Sequence, residues 1–426
     1  MTSATPPPSL GVVLRPGSDG RVSSTRIGQD VVAVAAAAAD MDLSDCVRGY
    51  SRWHRDYIEA YRALLTSAAH DAHGAAAMSK AGAEELIRQA GIQDEDEMVS
   101  VAEGFSRPNE PLYDTLVAGG QAMRERDFSV PYQGRRLFGD ELRAQLNRWV
   151  DRGIAEPSFA EAVELVMDNP DWLDLSDVDV AVMGAGAEMG PTRSLLRWGA
   201  RVHAVDLPRP ALWQRLLDTT RVTAGTLHLP IQQGTMPSKW RDGYRLNLDD
   251  DAQAAALAGA DLLGKAPQVR DWFARIQRPM VVGNYTYADG VTHVRLSVAA
   301  DAIMTDLAQR FLGSTMAYLA TPTDVFMVPE EAVIESHRRW QHRGAGRMLQ
   351  APLRLARQFA PNYPTTVTTT TGRIVGVNDA LVRQQGPNYA LAKRFQRWRA
   401  TTLRDQGHRV SLNIAPATRT ESVVKN

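Results

Sequence analysis

Apolar residues recur at spacings of three and four through SRWHRDYIEAYRALL, which places Trp53, Tyr57, Tyr61 and Leu64 on one face of a helix. An aromatic stripe of this kind is in the first place a core-facing surface. The helical texture runs from Asp42 to about Gly91 and returns from Leu137 to Met167, where Leu142, Leu146 and Val150 keep register and Gly153 and Pro157 punctuate it. Asn169-Pro170 ends this block. From Asp177 the pattern changes to short apolar runs separated by helical segments. Residues 178–183, 201–205, 279–283, 315–320 and 409–414 read as strands, and their alternation with helices predicts a parallel sheet covered on both faces. No repeat of fixed period is evident, which disfavours a solenoid.

These patterns divide the chain into a flexible tail over residues 1–40, a helical N-terminal domain over 41–175 and an α/β domain over 176–426. The tail assignment rests on Pro6, Pro7, Pro8 and scattered Gly and Ser. The longest apolar run lies within residues 31–39 and is closed by Asp30 and Asp40. That is well short of the roughly 18 to 20 apolar residues a membrane-spanning helix needs, and no secretory signal precedes it.

The balance of charge narrows the function. Lys and Arg total 48 against 49 Asp and Glu, a net charge of −1, and 44% of the 426 residues are apolar. This excludes a strongly basic nucleic-acid binder and leaves ample material for a core. The single cysteine, Cys46, excludes an intrachain disulfide, a thiolate metal cluster and a C-x-x-C redox pair. A reducing cytoplasm is the compartment expected. His70-x-x-His73 offers two imidazoles with no third ligand nearby, so no metal site is expected.

One stretch departs from the balance. Residues 336–378 contain no Asp or Glu and hold Arg338, Arg339, Arg343, Arg347, Arg354, Arg357 and Arg373. This basic insertion, at about 325–378, reads either as a solvated helix face or as a cap for an anionic arm such as phosphopantetheine or CoA.

The candidate chemistry begins where DVDVAVM runs into Gly184-Ala-Gly186-Ala-Glu188-Met189-Gly190, followed by a helix through Trp198 and the strand RVHAVD. Glycines are needed in such a turn because it is tight and because the backbone must approach a pyrophosphate held by amide N–H groups. Asp206 follows Gly184 by 22 positions, a spacing suited to a carboxylate that accepts hydrogen bonds from an adenosine ribose. Two cofactor classes fit this half-motif, dinucleotides and S-adenosylmethionine. Near the C-terminus, Gly-Pro-Asn-Tyr389-Ala-Leu-Ala-Lys393 opens a helix, and its Tyr and Lys share one face. An ammonium beside a phenol would lower the phenol's pKa from about 10 and fit it for acid–base work near neutrality.

Taken together these segments resemble the short-chain dehydrogenase/reductase superfamily over roughly residues 177–426. The resemblance implies a Rossmann-type doubly wound parallel sheet preceded by the helical domain. It implies a cofactor held by Gly184, Gly186, Glu188, Met189 and Gly190, although Glu188 stands where the family has a glycine. Asp206 then favours NAD, with NADP less favoured. Ala260-Asp261-Leu262 is similar to the segment whose acid contacts adenine, and Val282-Gly283-Asn284 to the family's Asn-Ala-Gly segment. Tyr389 and Lys393 fall on the catalytic pair, Lys393 also holding the nicotinamide ribose. In RVSLNIAPATRT, Pro416 and Thr420 match the residues that close over the nicotinamide, while Ala417 does not.

The carbonyl-orienting hydroxyl falls on Thr321 or Thr323 if TMAYLA is the fifth strand. An alternative alignment makes GRIVGV that strand and puts Asn378 or Asp379 there. The relay asparagine has no counterpart in VRLSVAADAI, where Ala299 sits nearest. The implied function is NAD(P)-dependent oxidoreduction of a carbonyl or alcohol, on a small-molecule or carrier-tethered substrate, with no nucleic-acid or membrane partner and with room for a homo-oligomer. Two alternatives stay open: an S-adenosylmethionine-dependent methyltransferase using the same turn, and a non-catalytic dinucleotide sensor or assembly protein.

Overall fold

The computed structural model of the chain describes residues 11–94, 97–241, 243–342, 352 and 362–415. In chain order the first elements are β1 (Gly11–Leu14), α1 (Ser24–Ala37), α2 (Met41–Gly49), α3 (Trp53–His70), α4 (Ala72–Arg88), β2 (Ala90–Asp94), β3 (Glu97–Val99) and α5 (Val101–Ser106). Next come β4 (Tyr113–Gly119), β5 (Ser129–Tyr132), β6 (Arg135–Phe138), α6 (Gly139–Asp151), α7 (Pro157–Asp168), β7 (Asp179–Met183), α8 (Thr192–Arg197), β8 (Arg201–Val205) and α9 (Pro210–Arg221). They are followed by β9 (Thr226–Gln232), β10 (Tyr244–Leu246), α10 (Asp251–Leu257), α11 (Ala266–Ala274), β11 (Val281–Asn284), α12 (Gly290–Arg310) and β12 (Thr315–Ala320). The last are β13 (Val325–Pro329), α13 (Glu330–Gln341), β14 (Thr365–Thr368), β15 (Ile374–Asp379), α14 (Gly386–Asp405) and β16 (Arg409–Ile414).

The fold is α/β, with a main sheet of eight strands in the order β10-β4-β9-β8-β7-β11-β12-β16. The pairs β10–β4, β9–β8, β8–β7 and β7–β11 are parallel, and β4 runs antiparallel to β9. Chain order reverses direction at β7, which has β8 on one side and β11 on the other. Every residue of β7 is buried, as a strand covered on both faces requires. GRIVGV lies in β15, which joins β13 and β14 in a separate antiparallel sheet, so TMAYLA is the strand that follows β11 in the main sheet.

The described residues fall into two compact units. Unit 1 comprises Met1–Gly104, Ala288–Asp301 and Tyr318–Asn426; unit 2 comprises Phe105–Tyr287 and Ala302–Ala317. In unit 1 the expected aromatic face of α3 is buried, with Trp53, Tyr57, Tyr61 and Leu64 all at 3% exposure or less. Each such side chain stabilises the fold by roughly 1.5–3 kcal/mol. Asp40 and Asp71 cap α2 and α4 by accepting the N–H groups of Leu43 and Gly74, each at 2.9 Å. α4 packs on α14 where Gly82 lies under the Trp398 ring; a Cβ there would sit 2.5 Å from it. In unit 2 the core is formed by the sheet strands with Leu196 of α8 and Trp213, Leu216 and Leu217 of α9.

Three expectations about organisation change. The segment expected to be a tail forms β1 and α1, because Val31, Val32, Ala33, Ala35 and Ala36 are all completely buried; residues 1–10 lie outside the described residues. The helices expected to make one N-terminal domain divide between the units, α2–α4 in unit 1 and α6 and α7 in unit 2. β4, from the same segment, enters the main sheet. Among the described residues no helix is long and apolar enough to cross a membrane.

Candidate functional site

In unit 2 the glycine-rich turn leaves the tip of β7. The N–H groups of Gly184 and Ala185 both donate to the Val205 carbonyl of β8, at 2.8 and 3.2 Å. Gly184 has φ +80°, and a Cβ there would lie 2.8 Å from the carbonyl of Tyr285 and 2.9 Å from the nitrogen of Thr286. Both atoms are backbone, so the close approach admits only glycine. At Gly186 a Cβ would meet the side chain of Leu212 on α9 at 2.7 Å. Gly190 closes the turn by donating to the Ala187 carbonyl at 2.9 Å, and Thr192 Oγ1 donates to that of Ala185 at 2.8 Å. Glu188 is exposed and Met189 half-buried.

Asp206 closes the other side of this turn. Its Oδ2 accepts the Gly186 N–H and its Oδ1 the Leu207 N–H, both at 2.8 Å. Burial raises its pKa and these two N–H bonds work in the opposite direction. The carboxylate fixes the turn and keeps lone pairs for a further donor. The Ala260 N–H donates to the Asp206 carbonyl at 2.9 Å, which brings Asp261 beside it. Asp261 is exposed, and its Oδ1 accepts the N–H groups of Leu263 and Gly264 at 3.1 and 2.8 Å.

Asn284 ends β11 opposite Met183 of β7 and is 1% exposed. Its Oδ1 accepts both the N–H and the hydroxyl of Thr286, at 3.1 and 2.8 Å. A backbone N–H is always a donor, so these contacts fix which way the amide faces. The amide's Nδ2 is buried and has no partner among the described residues. A buried amide donor left unpaired costs about 1–3 kcal/mol, so this nitrogen can take an acceptor, whether a water or a ligand.

Thr321, Thr323, Tyr389 and Lys393 come together in unit 1. The hydroxyls of Thr321 and Thr323 are hydrogen-bonded at 2.8 Å, and the Tyr389 phenol is hydrogen-bonded to Thr321. Lys393, 8% exposed, donates from Nζ to the Leu319 carbonyl at 3.2 Å and to Gln396 Oε1 at 3.4 Å. The electrostatics differ from the expected ammonium beside a phenol. Burial raises the pKa of Tyr389, with the Thr321 hydrogen bond opposing it, and burial lowers that of Lys393 to about 8. Four positions along a helix place two side chains on one face; they do not aim Nζ at the phenol. The result is a phenol protonated at neutral pH, able to donate a proton, joined to a two-hydroxyl chain.

His293, Ser297 and Gln396 belong to the same cluster and were not singled out from the sequence. His293 is completely buried, with its ring centred 5.3 Å from that of Tyr389 and inclined to it at 65°. Burial, and then the charge of Lys393, lower its pKa to about 3. Ser297 Oγ accepts from Gln396 Nε2 at 3.3 Å. The available signal was the four-residue spacing of His293, Ser297 and Asp301, interleaved with Val294, Val298, Ala299 and Ala300. Nearby, Asp301 pairs with Arg399, and Asp324 with Arg394 and Arg397.

Pro416, Thr420, Arg343, Arg347, Arg354 and Arg357 lie outside the described residues. Arg338 and Arg339 both pair with Glu335 on α13. His70 ends α3 with Nδ1 3.0 Å from the Thr368 carbonyl oxygen, and His73 is on α4. Among the described residues no group of three or more His, Cys, Asp or Glu is placed to hold a metal ion. No family model, no curated protein and no solved structure matches this chain.

Proposed function

We propose that this protein is an NAD(P)-linked oxidoreductase that reduces a carbonyl or oxidises an alcohol, as its resemblance to the short-chain dehydrogenase/reductases implies. Numbering β7, β8, β9, β11, β12 and β16 from one to six gives the sheet order 3-2-1-4-5-6. That is the order of Rossmann-type dinucleotide-binding sheets, whose ligands lie beyond the carboxyl ends of the strands where the order reverses. The residues at that reversal are Gly184, Asp206 and Asn284. The observation that carries the reading is the buried Nδ2 of Asn284, without a partner among the described residues, beside a turn whose first position, Gly184, admits only glycine.

A dinucleotide suits these groups. Gly184 to Gly190 would bring backbone to the pyrophosphate, Asp206 would accept from the adenosine ribose, and Asn284 would donate from Nδ2. When bound, the dinucleotide supplies or takes up the hydride. In unit 1, Tyr389, kept protonated by burial, is the group that would give a proton to a carbonyl oxygen, with Thr321 or Thr323 as the hydroxyl that would orient it. Lys393, its pKa lowered by burial to about 8, is a second group in unit 1 that can change its protonation near neutrality.

One observation favours a second reading, the S-adenosylmethionine-dependent methyltransferase. Lys393 turns to the Leu319 carbonyl and the Tyr389 phenol is raised, so neither needs a part in hydride chemistry, while the Gly184 turn and Asp206 serve either cofactor. Titration with NADH, NADPH and S-adenosylmethionine separates the two. NADH binding, followed by nicotinamide fluorescence, supports the oxidoreductase. Calorimetric binding of S-adenosylmethionine alone replaces it with the methyltransferase, and binding of none refutes both in favour of a structural role.

A further inference from the structure

A core helix stabilises most simply when its buried face is apolar, since each buried polar group must recover its lost hydration through a partner. α12 does otherwise. His293 and Ser297 are completely buried and Asp301 is 4% exposed, each four residues from the next and therefore on one face. That face meets Tyr389, Gln396 and Arg399 of α14: His293 lies edge-to-face with the Tyr389 ring, Ser297 accepts from Gln396, and Asp301 pairs with Arg399. Gln396 is itself 3% exposed and passes the contact on, its Nε2 to Ser297 and its Oε1 to Nζ of Lys393.

We propose that α12 positions the Tyr389–Lys393 pair, His293 setting the ring of Tyr389 and Ser297, acting through Gln396, setting Nζ of Lys393. The inference rests on the reading of Tyr389 and Lys393 as the proton-handling pair and adds the residues that hold them. Two features support it. The ring of His293 is neutral at working pH, so it packs against the phenol without adding a second buried cation next to Lys393. Among the described residues, Nζ takes the Leu319 carbonyl from β12 and has His293 as its neighbour from α12, while the buried carboxylates Asp301 and Asp324 are held by Arg399 and by Arg394 with Arg397. Gln396 is thus the side-chain acceptor that places the ammonium.

The test reads the two side chains directly in the full chain, with no cofactor or substrate. With lysine labelled at 15Nζ and the Lys393 resonance assigned by its loss in Lys393→Met, NMR follows its titration. Gln396→Leu removes an acceptor from the charged form and lowers the midpoint by about half a unit or more. Ser297→Ala lowers it less, and as the removal of one oxygen it keeps the test open if the leucine variant does not fold. Gln396→Glu adds a carboxylate and raises the midpoint by about one unit or more. With 3-fluorotyrosine, His293→Leu moves the Tyr389 19F resonance and Ser297→Ala leaves it in place. Midpoints that stay at the wild-type value in the Ser297 and Gln396 variants overturn the proposal, and so does a Tyr389 resonance unmoved by His293→Leu. Absence of turnover in the wild type would instead overturn the enzyme reading and leave these titrations standing.

Discussion

The Lys393 ammonium is a stability cost whose size follows from its surroundings. It is 8% exposed and among the described residues meets a carbonyl and an amide oxygen but no carboxylate, and burial takes its pKa from 10.5 to about 8. A tenfold change in proton affinity corresponds to about 1.4 kcal/mol, so the folded state bears about 3 kcal/mol at neutral pH. The sign follows from proton counts. Between about pH 8 and 10.5 the unfolded chain still holds the proton that the folded chain has released, so stability rises with pH across that window and the cost is full below it. Lys393→Met fills the same space without the charge. The variant should be more stable than wild type at pH 7 by about 2–3 kcal/mol, with the gap closing toward pH 10.5. Urea unfolding of both proteins at several values from neutrality to about pH 10 gives the difference, in which every other titrating group cancels. A variant less stable than wild type at neutral pH, or a gap independent of pH, would refute the reasoning.

Four further outcomes follow from the same contacts. Gly184→Ala forces an alanine into the left-handed region and its Cβ onto backbone atoms of Tyr285 and Thr286; it should lose at least ~2 kcal/mol in calorimetry and abolish the NADH fluorescence change. Asp206→Asn keeps an oxygen for one of the two N–H bonds and loses the negative charge, so titrations should show the preference for NADH over NADPH fall about tenfold or more. Tyr389→Phe should abolish carbonyl-dependent NADH oxidation while leaving the dissociation constant for NADH within about twofold of wild type. Asp324→Ala leaves the buried guanidinium of Arg394 and that of Arg397 without a carboxylate and should cost about 3–5 kcal/mol in urea unfolding; an unchanged midpoint would mean the triad is not closed in solution.

What could be read from the chain alone depended on how local its cause was. β8 and β12, mostly buried, occupy the residues their apolar runs mark, because a covered strand writes a near-continuous signal; β16 also falls on its expected residues although most of it is exposed. β9 was hidden by Pro230, which removes a ladder donor and argues against an interior strand; in the fold it lies opposite Thr115 and its carbonyl accepts from Gly259. β4 has its place beside β9 decided by pairing across more than a hundred residues. α1 was masked by the prolines and glycines before it. In the candidate site, the glycine turn and Asp206 were legible because the turn is local. The polar stripe of α12 was not: His293, Ser297 and Asp301 repeat with the period of a solvated face, and periodicity reads the same whether that face meets water or a second polar helix.

Unit 1 has a consequence for how the molecule is made. Its helices α1 to α4 are synthesised about 300 residues ahead of α14, the helix that packs on α4 with Trp398 seated over Gly82. Until α14 emerges, the apolar face of α4 stays open to chaperones and to neighbouring nascent chains. Fragments cut near residue 175, where the periodicity changes, would separate α4 from α14 and are expected to aggregate, whereas nicking the chain after the whole of it has folded should leave the two pieces associated.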